Sequence, residues 1–211
     1  MEIHLRDLQE SDVDGMLEWM HDPETKKWFR YPMEKQTKAD VLSFIQKARK
    51  TDKSEQGVSI HLAVADENDE YLGTISLKNI DYTSRNAEYA ISIRQCTKGT
   101  GAAYKATKML LAYAFDTLDL EKVYLNVLKE NARAIAFYKK VGFKLEGESR
   151  KTLYFNDKFH NLYWFGMLAE EWNMTENMNS LGTSRGGCHY RQVILKYTDA
   201  LSYPQTFYEV A

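Results

Sequence analysis

The feature that most constrains this chain is a pair of glycines at the junction of a strand-like and a helix-like segment. Arg94-Gln95-Cys96-Thr97-Lys98-Gly99-Thr100-Gly101-Ala102-Ala103 follows a strand-like run from Ala87 to Ile93 and opens a helix-like run from Gly101 to Leu118. Backbone N–H groups in such a loop converge on one point, and the positive end of the following helix adds to it. Glycine suits the loop because it accepts positive φ and lets a ligand approach the backbone. The pattern predicts a phosphate-bearing cofactor held by Lys98, Gly99, Thr100, Gly101 and Ala102. A dinucleotide fingerprint needs a third glycine at position 104, where Tyr104 stands, and no P-loop pattern is present. The plain alternative is a glycine turn before a helix.

A second stretch gives the loop its meaning. Asn131-Ala-Arg-Ala134-Ile135-Ala-Phe137-Tyr138-Lys-Lys-Val141-Gly142-Phe143 reads N-x-x-A-x-x-F-Y-x-x-x-G-F. Together the two stretches resemble the GNAT superfamily of acetyl-CoA-dependent N-acetyltransferases, whose acyl-CoA loop reads [QR]-x-x-G-x-[GA]. The later motif matches at every marked position. The loop departs once, with Cys96 where the family has Gln or Arg, while Lys98 keeps a cation beside the glycine. The resemblance runs from about residue 2 to about residue 172. It implies acetyl-CoA as cosubstrate and a mixed α/β fold whose splayed, mostly antiparallel sheet, flanked by helices, admits the pantetheine arm through a central gap.

Bulk properties agree. The chain has 211 residues and a net charge of −2, with both signs interspersed, so no electrostatic footprint for nucleic acid is present. Cys96 and Cys188 stand far apart and form no disulfide framework, as suits a reducing compartment. The first residues lack a signal-peptide core, and no apolar stretch is long enough to span a membrane. A cytoplasmic protein is expected, with no membrane partner and with room for a homodimer.

Hydrophobic periodicity lays out the elements. Ile3 and Leu5 mark a first strand. Ser11 reads as the N-cap of a helix carrying Met16, Leu17, Trp19 and Met20, which Asp22-Pro23 ends or bends. Thr37 caps a second helix with Val41, Phe44, Ile45 and Ala48 inward. Strands follow at 58–65, 71–80 and 85–93, then the helix after the glycine loop, a strand at 123–127, a helix at 131–141 closed by Gly142, and a strand pair at 144–153 and 158–168. Residues 1–172 are expected to form the acetyltransferase domain. From Asn173 the composition turns to Asn, Ser, Thr and Gly, which reads as a linker followed by an aromatic-rich tail to residue 211.

Acyl transfer from a thioester to an amine requires loss of an ammonium proton, stabilisation of an oxyanion and protonation of the departing thiolate. Tyr138 shares a helix face with Ala134 and Asn131. The resemblance implies that Tyr138 is the general acid at sulfur; the alternative is a tyrosine packed in the core. Asn131 is a natural N-cap, and the resemblance adds a contact to pantetheine. On the strand before the glycine loop, Tyr89, Ile91 and Ile93 alternate with Glu88, Ala90 and Ser92. A carboxylate in such a strand is costly unless paired or useful. Glu88 is therefore either a base acting through water, as in related enzymes, or half of a structural ion pair, for example with Arg85. The resemblance also implies that the backbone around Ile91 and Ile93 pairs with pantetheine.

For the acceptor, Trp28, Phe29, Arg30 and Tyr31 form an aromatic and cationic cluster between the first two helices. It can stack a ring and pair with a diphosphate, or it can staple that loop to the core. The five histidines show no metal-ligand spacing. His160 matches a common position in the resembled branch and is retained as an acceptor-site candidate. Trp19 to Trp28 and Gly73 to Glu88 resemble the RimJ/RimL-like branch, and within it the enzymes acting on the 4-amino group of nucleotide-linked amino-deoxy sugars. That implies a small-molecule amine as partner. The alternatives are a RimJ/RimL-type protein N-terminal or amino-acid acetyltransferase, and an inert acyl-CoA-binding module.

Overall fold

A computed structural model describes residues 1–29 and 32–174. Arg30, Tyr31, Cys188 and all but the first two residues of the linker and tail expected over 173–211 lie outside the described residues. The fold is mixed α/β: one seven-stranded sheet in the order β1-β2-β3-β4-β5-β7-β6, flanked by helices. The strands are β1 (Ile3–Asp7), β2 (Val58–Asp66), β3 (Tyr71–Asp81), β4 (Asn86–Ile93), β5 (Lys122–Leu128), β6 (Lys144–Phe155) and β7 (Lys158–Leu168). Every neighbouring pair is antiparallel except β4 and β5, which are parallel.

The helices are α1 (Val13–His21), α2 (Pro23–Lys26), α3 (Lys38–Lys50), α4 (Ala102–Ala112) and α5 (Ala132–Val141). Helix α4 continues as a π turn over Tyr113–Thr117. The apolar stripes of α4 and α5 bury Leu110, Leu111 and Val141 against Tyr89, Leu125 and Phe165 of the sheet. Helices α1 and α3 cover part of the opposite face with Met16, Trp19, Val41 and Ile45. Strand β3 is thus buried on both faces over 71–77, which burial of aliphatic and aromatic surface favours at roughly 25 cal/mol per Å².

Thr37 caps α3 as expected, in a capping box with Asp40. Gly142 closes α5 at φ 117°. Ser11 does not cap α1. It lies inside a 3₁₀ turn, Glu10–Asp12, because Asp12 is drawn inward by Arg6 through two 2.8 Å hydrogen bonds and also accepts from the Gln9 N–H at 2.8 Å. Asp22-Pro23 does more than end α1: Asp22 caps the short α2, with Pro23 at its first position. Residues 169–174 form a closing helical turn, and Trp172 is buried there against Phe115, ring centroids 6.0 Å apart. Among the described residues no helix is long and apolar enough to cross a membrane.

Candidate active site

The parallel junction of β4 and β5 defines the site. Pairing is confined to Asn86, Ala87 and Glu88 with Lys122, Val123 and Tyr124; beyond them the two strands part. On its other edge β4 stays paired with β3 as far as Ile93 opposite Gly73. The Arg94 N–H donates to the Leu72 carbonyl at 2.9 Å. Alternation then turns the backbone groups of Ile93, Ile91 and Tyr89 the other way, into the opening beside β5. The N–H of Tyr89 is taken up by the last Glu88–Tyr124 pairing, whereas among the described residues the N–H and C=O groups of Ile91 and Ile93 have no partner on β5 and can accept an extended, amide-bearing arm.

The glycine loop closes one end of this opening. Gly99 and Gly101 have φ of 85° and 84°, and a Cβ at either would meet nothing within 4 Å. The glycines are therefore required by backbone conformation, and the space above them is open. Thr100 Oγ1 donates to the Thr97 carbonyl at 2.7 Å, and the Thr97 and Lys98 N–H groups close the 3₁₀ turn Gln95–Thr97. Among the described residues the Gly99 and Gly101 N–H groups have no protein acceptor. The Ala102 N–H reaches Thr100 Oγ1 at 3.3 Å, and the first turn of α4 offers no carbonyl to its own leading N–H groups. Burial lowers the Lys98 ammonium from its ordinary value, and the neighbouring Arg133 guanidinium lowers it further. Arg133, on α5, was not singled out by sequence; it shares its motif with Asn131, whose side chain caps α5 by accepting from the Ala134 N–H at 3.1 Å. Unpaired donors, open space and two cations fit a pyrophosphate.

Tyr138 reaches the point where the strands part. Its ring meets Tyr89 of β4 edge-on at 6.1 Å and Phe165 of β7, the partner of Leu125 in β5, at 6.4 Å. Burial pushes its phenol up to about 12. Tyr89 beside it is tied to Thr107 Oγ1 at 2.7 Å, whereas the Tyr138 hydroxyl has no hydrogen-bond partner among the described residues.

Glu88 stands on the other face of the same junction. Its partner is Lys78, directly across the β3–β4 register, with Nζ 2.7 Å from Oε1; Asn126 Nδ2 donates to the same oxygen at 3.3 Å. The expected partner Arg85 instead binds Asp119 and Glu121. Tyr124 is the register partner of Glu88 on β5, and its phenol is raised by burial and then by the Glu88 charge. His61 and Ser76 continue this polar face, with Nδ1 2.8 Å from Oγ. Burial and then the Lys78 charge bring His61 down to about 4. Lys78, Asn126, Tyr124 and His61 escaped the sequence reading because only strand pairing gathers them.

The acceptor candidates separate. Trp28 is 37% exposed, with Lys27 Nζ 5.6 Å from its ring, whereas Phe29 packs on Trp19 at 5.8 Å. The staple alternative describes Phe29, while the Trp28 ring is left open to solvent. Arg30 and Tyr31 lie outside the described residues. His160 is buried in the β6–β7 hairpin, stacked on Phe155 at 4.1 Å, with Nε2 3.2 Å from the Phe155 carbonyl and Nδ1 3.4 Å from Glu130. That placement is well along β7 from Gly166, the partner of Tyr124, and matches a packing histidine.

A family profile described as the acetyltransferase (GNAT) domain matches residues 2–144. This chain belongs to the GNAT acetyltransferases. It is 34% identical over 134 residues to the spermidine N(1)-acetyltransferase of Escherichia coli (strain K12), covering 64% of this chain and 68% of that one. It is 35% identical over 100 residues to the putative ribosomal N-acetyltransferase YdaF of Bacillus subtilis (strain 168), covering 47% of this chain and 55% of the relative. Its fold is similar to that of the spermidine N-acetyltransferase from Vibrio cholerae in complex with CoA and spermine, with a TM-score of 0.71, 23% identity, and coverage of 81% of this chain and 98% of that one. A GNAT enzyme is an acetyl-CoA-dependent N-acetyltransferase, and the inert-module alternative falls away.

Proposed function

We propose that this GNAT enzyme acetylates the primary amine of a small polar acceptor, with Tyr138 and Glu88 acting from opposite faces of the sheet. The observation that carries the reading is their common position: both flank the junction at which β4 and β5 part. When bound, acetyl-CoA supplies a thioester whose acyl carbon the amine nitrogen attacks. Lys98, Arg133 and the N–H groups of Gly99 to Ala102 hold its pyrophosphate, and the backbone of Ile91 and Ile93, with Asn131, orients the arm in the opening. An N–H on that edge of β4 polarises the acyl oxygen, a donor type worth about 10²–10³-fold in rate. Glu88, through water, takes the proton that the ammonium must lose. Tyr138 Oη gives its proton to the departing sulfur, and its raised pKa keeps that proton in place at neutral pH.

For the acceptor, a nucleotide-linked amino-deoxy sugar is the first reading. Its support is the exposed ring of Trp28, which can stack on a base or sugar. His160 plays no part in it, since its ring is taken up in the β6–β7 hairpin. Lys78 also favours this choice. It pairs with Glu88, so that carboxylate is not free to receive a polycation. A polyamine is the second reading, supported by the similarity to spermidine N(1)-acetyltransferases. A panel of UDP- and dTDP-linked amino sugars, spermidine, spermine and N-terminal peptides, each offered with acetyl-CoA, separates them. The first reading expects CoA release with the sugar nucleotides; release with polyamines alone promotes the second, and release with peptides alone overturns both.

A further inference from the structure

The phosphate loop and the segment carrying Trp28 are joined by side chains. Gln95, which opens the 3₁₀ turn below the phosphate loop, donates from Nε2 to Asp22 Oδ2. Its carbonyl accepts from the Lys98 N–H at 3.1 Å. Arg94, one residue earlier, binds Glu18 Oε2 of α1 through Nη2 at 2.6 Å and Nε at 2.9 Å. Asp22 is the residue on which α2 starts. Its Oδ1 accepts from the Glu24 N–H at 3.2 Å and its Oδ2 from Thr25 Oγ1 at 2.7 Å. The Thr25 and Gln95 hydrogen bonds hold this carboxyl below its ordinary range. The carbonyls of Thr25 and Lys26 then accept from the N–H groups of Trp28 at 3.0 Å and Phe29 at 3.1 Å. A continuous hydrogen-bonded path therefore runs from Lys98 through Gln95, Asp22 and α2 to Trp28.

Helix α2 is a single turn and buries none of its residues. A helix that short has no stability of its own, so outside contacts must fix it. The Lys26–Glu34 ion pair, at 2.9 Å, ties α2 only to the 3₁₀ turn that follows it, Met33–Lys35. The charged hydrogen bond from Gln95 joins the Asp22 cap of α2 to the segment that carries the glycines.

We propose that Asp22 and Gln95 are positioning residues that make the placement of the Trp28 segment depend on occupancy of the phosphate loop. A ligand that fixes Lys98 and Gly99 also fixes Gln95, and through Asp22 it fixes α2. Acetyl-CoA then prepares the acceptor side before the amine arrives, and by linkage the acceptor tightens acetyl-CoA by the same factor. The consequence for acceptor binding rests on the reading that Trp28 faces the acceptor; the coupling itself does not.

Hydrogen exchange on the full chain, with and without saturating CoA, tests the coupling without an acceptor. In the wild type, CoA should slow exchange both at 98–104 and at 24–29. Gln95→Leu removes the donor. Asp22→Ser keeps an N-cap but is too short to reach Gln95. Both variants should keep the protection at 98–104 and lose that at 24–29, and Asp22→Asn, which retains an acceptor oxygen, should restore it. Equal protection of 24–29 by CoA in wild type, Gln95→Leu and Asp22→Ser overturns the proposal, as does its absence in the wild type. With whichever of spermidine or a UDP-linked amino sugar is turned over, both tether variants should raise KM by about tenfold, within the usual coupling range, with kcat and acetyl-CoA affinity near wild type. If Trp28→Ala leaves that KM unchanged while the exchange pattern holds, the tether stands and the acceptor reading of Trp28 falls.

Discussion

Lys78 and Glu88 face each other across β3 and β4 and form an ion pair, Nζ to Oε1 at 2.7 Å, on the face of the sheet opposite Tyr138. This carboxylate at the strand junction is therefore already paired with a cation.

Removing the cation should change which acceptors are favoured. Lys78→Met keeps the length of the side chain and frees Glu88. We expect kcat/KM for spermidine to rise relative to a sugar nucleotide by about tenfold, which is about 1.4 kcal/mol. Steady-state kinetics with the two acceptors in competition checks this, and an unchanged ratio contradicts a role for Lys78 in acceptor choice.

His61 predicts a pH dependence of stability. Its folded pKa, about 4, lies below the ordinary value of 6.5, so the unfolded chain binds more protons between those values. The stabilisation is present above pH 6.5 and is lost as pH falls through about 4. The shift corresponds to on the order of 3 kcal/mol. Urea unfolding of the wild type should weaken by about that much more, from pH 7 to pH 4, than unfolding of His61→Gln. Equal pH slopes would contradict the assignment.

Much of this architecture is legible in the sequence, because the motif residues act locally. The glycine pair, the Asn131 cap, Tyr138 and Gly142 each depend on neighbours within a turn or two. What escaped depends on pairing between distant segments. Lys78 meets Glu88 only through a register that a bulge between Lys78 and Asp81 shifts, so counting back from the turn does not find it. Ser11 reads as a cap until Arg6, on β1, claims Asp12. The Gln95–Asp22 tether joins segments 73 residues apart, and no local pattern announces it.

We propose that the catalytic domain ends at the closing helical turn. Trp172 is 4% exposed against Phe115, with Lys108 Nζ 4.2 Å from its ring centroid. A chain ending at Asn173 should melt with the full chain and keep its turnover, whereas Trp172→Ala should cost about 3–5 kcal/mol. A shortened chain that folds but is inactive would show that residues beyond 173 belong to the working enzyme.

Tyr138→Phe offers the most direct test of the central claim, that Tyr138 serves the departing thiolate at the β4–β5 junction. The variant keeps the ring that packs on Tyr89 and Phe165 and removes only the hydroxyl. Measured together, kcat should fall by about 10²–10⁴-fold, the usual contribution of a positioned acid, while acetyl-CoA affinity by calorimetry stays near wild type. Full turnover in Tyr138→Phe would contradict the account and leave Tyr138 as a packing residue.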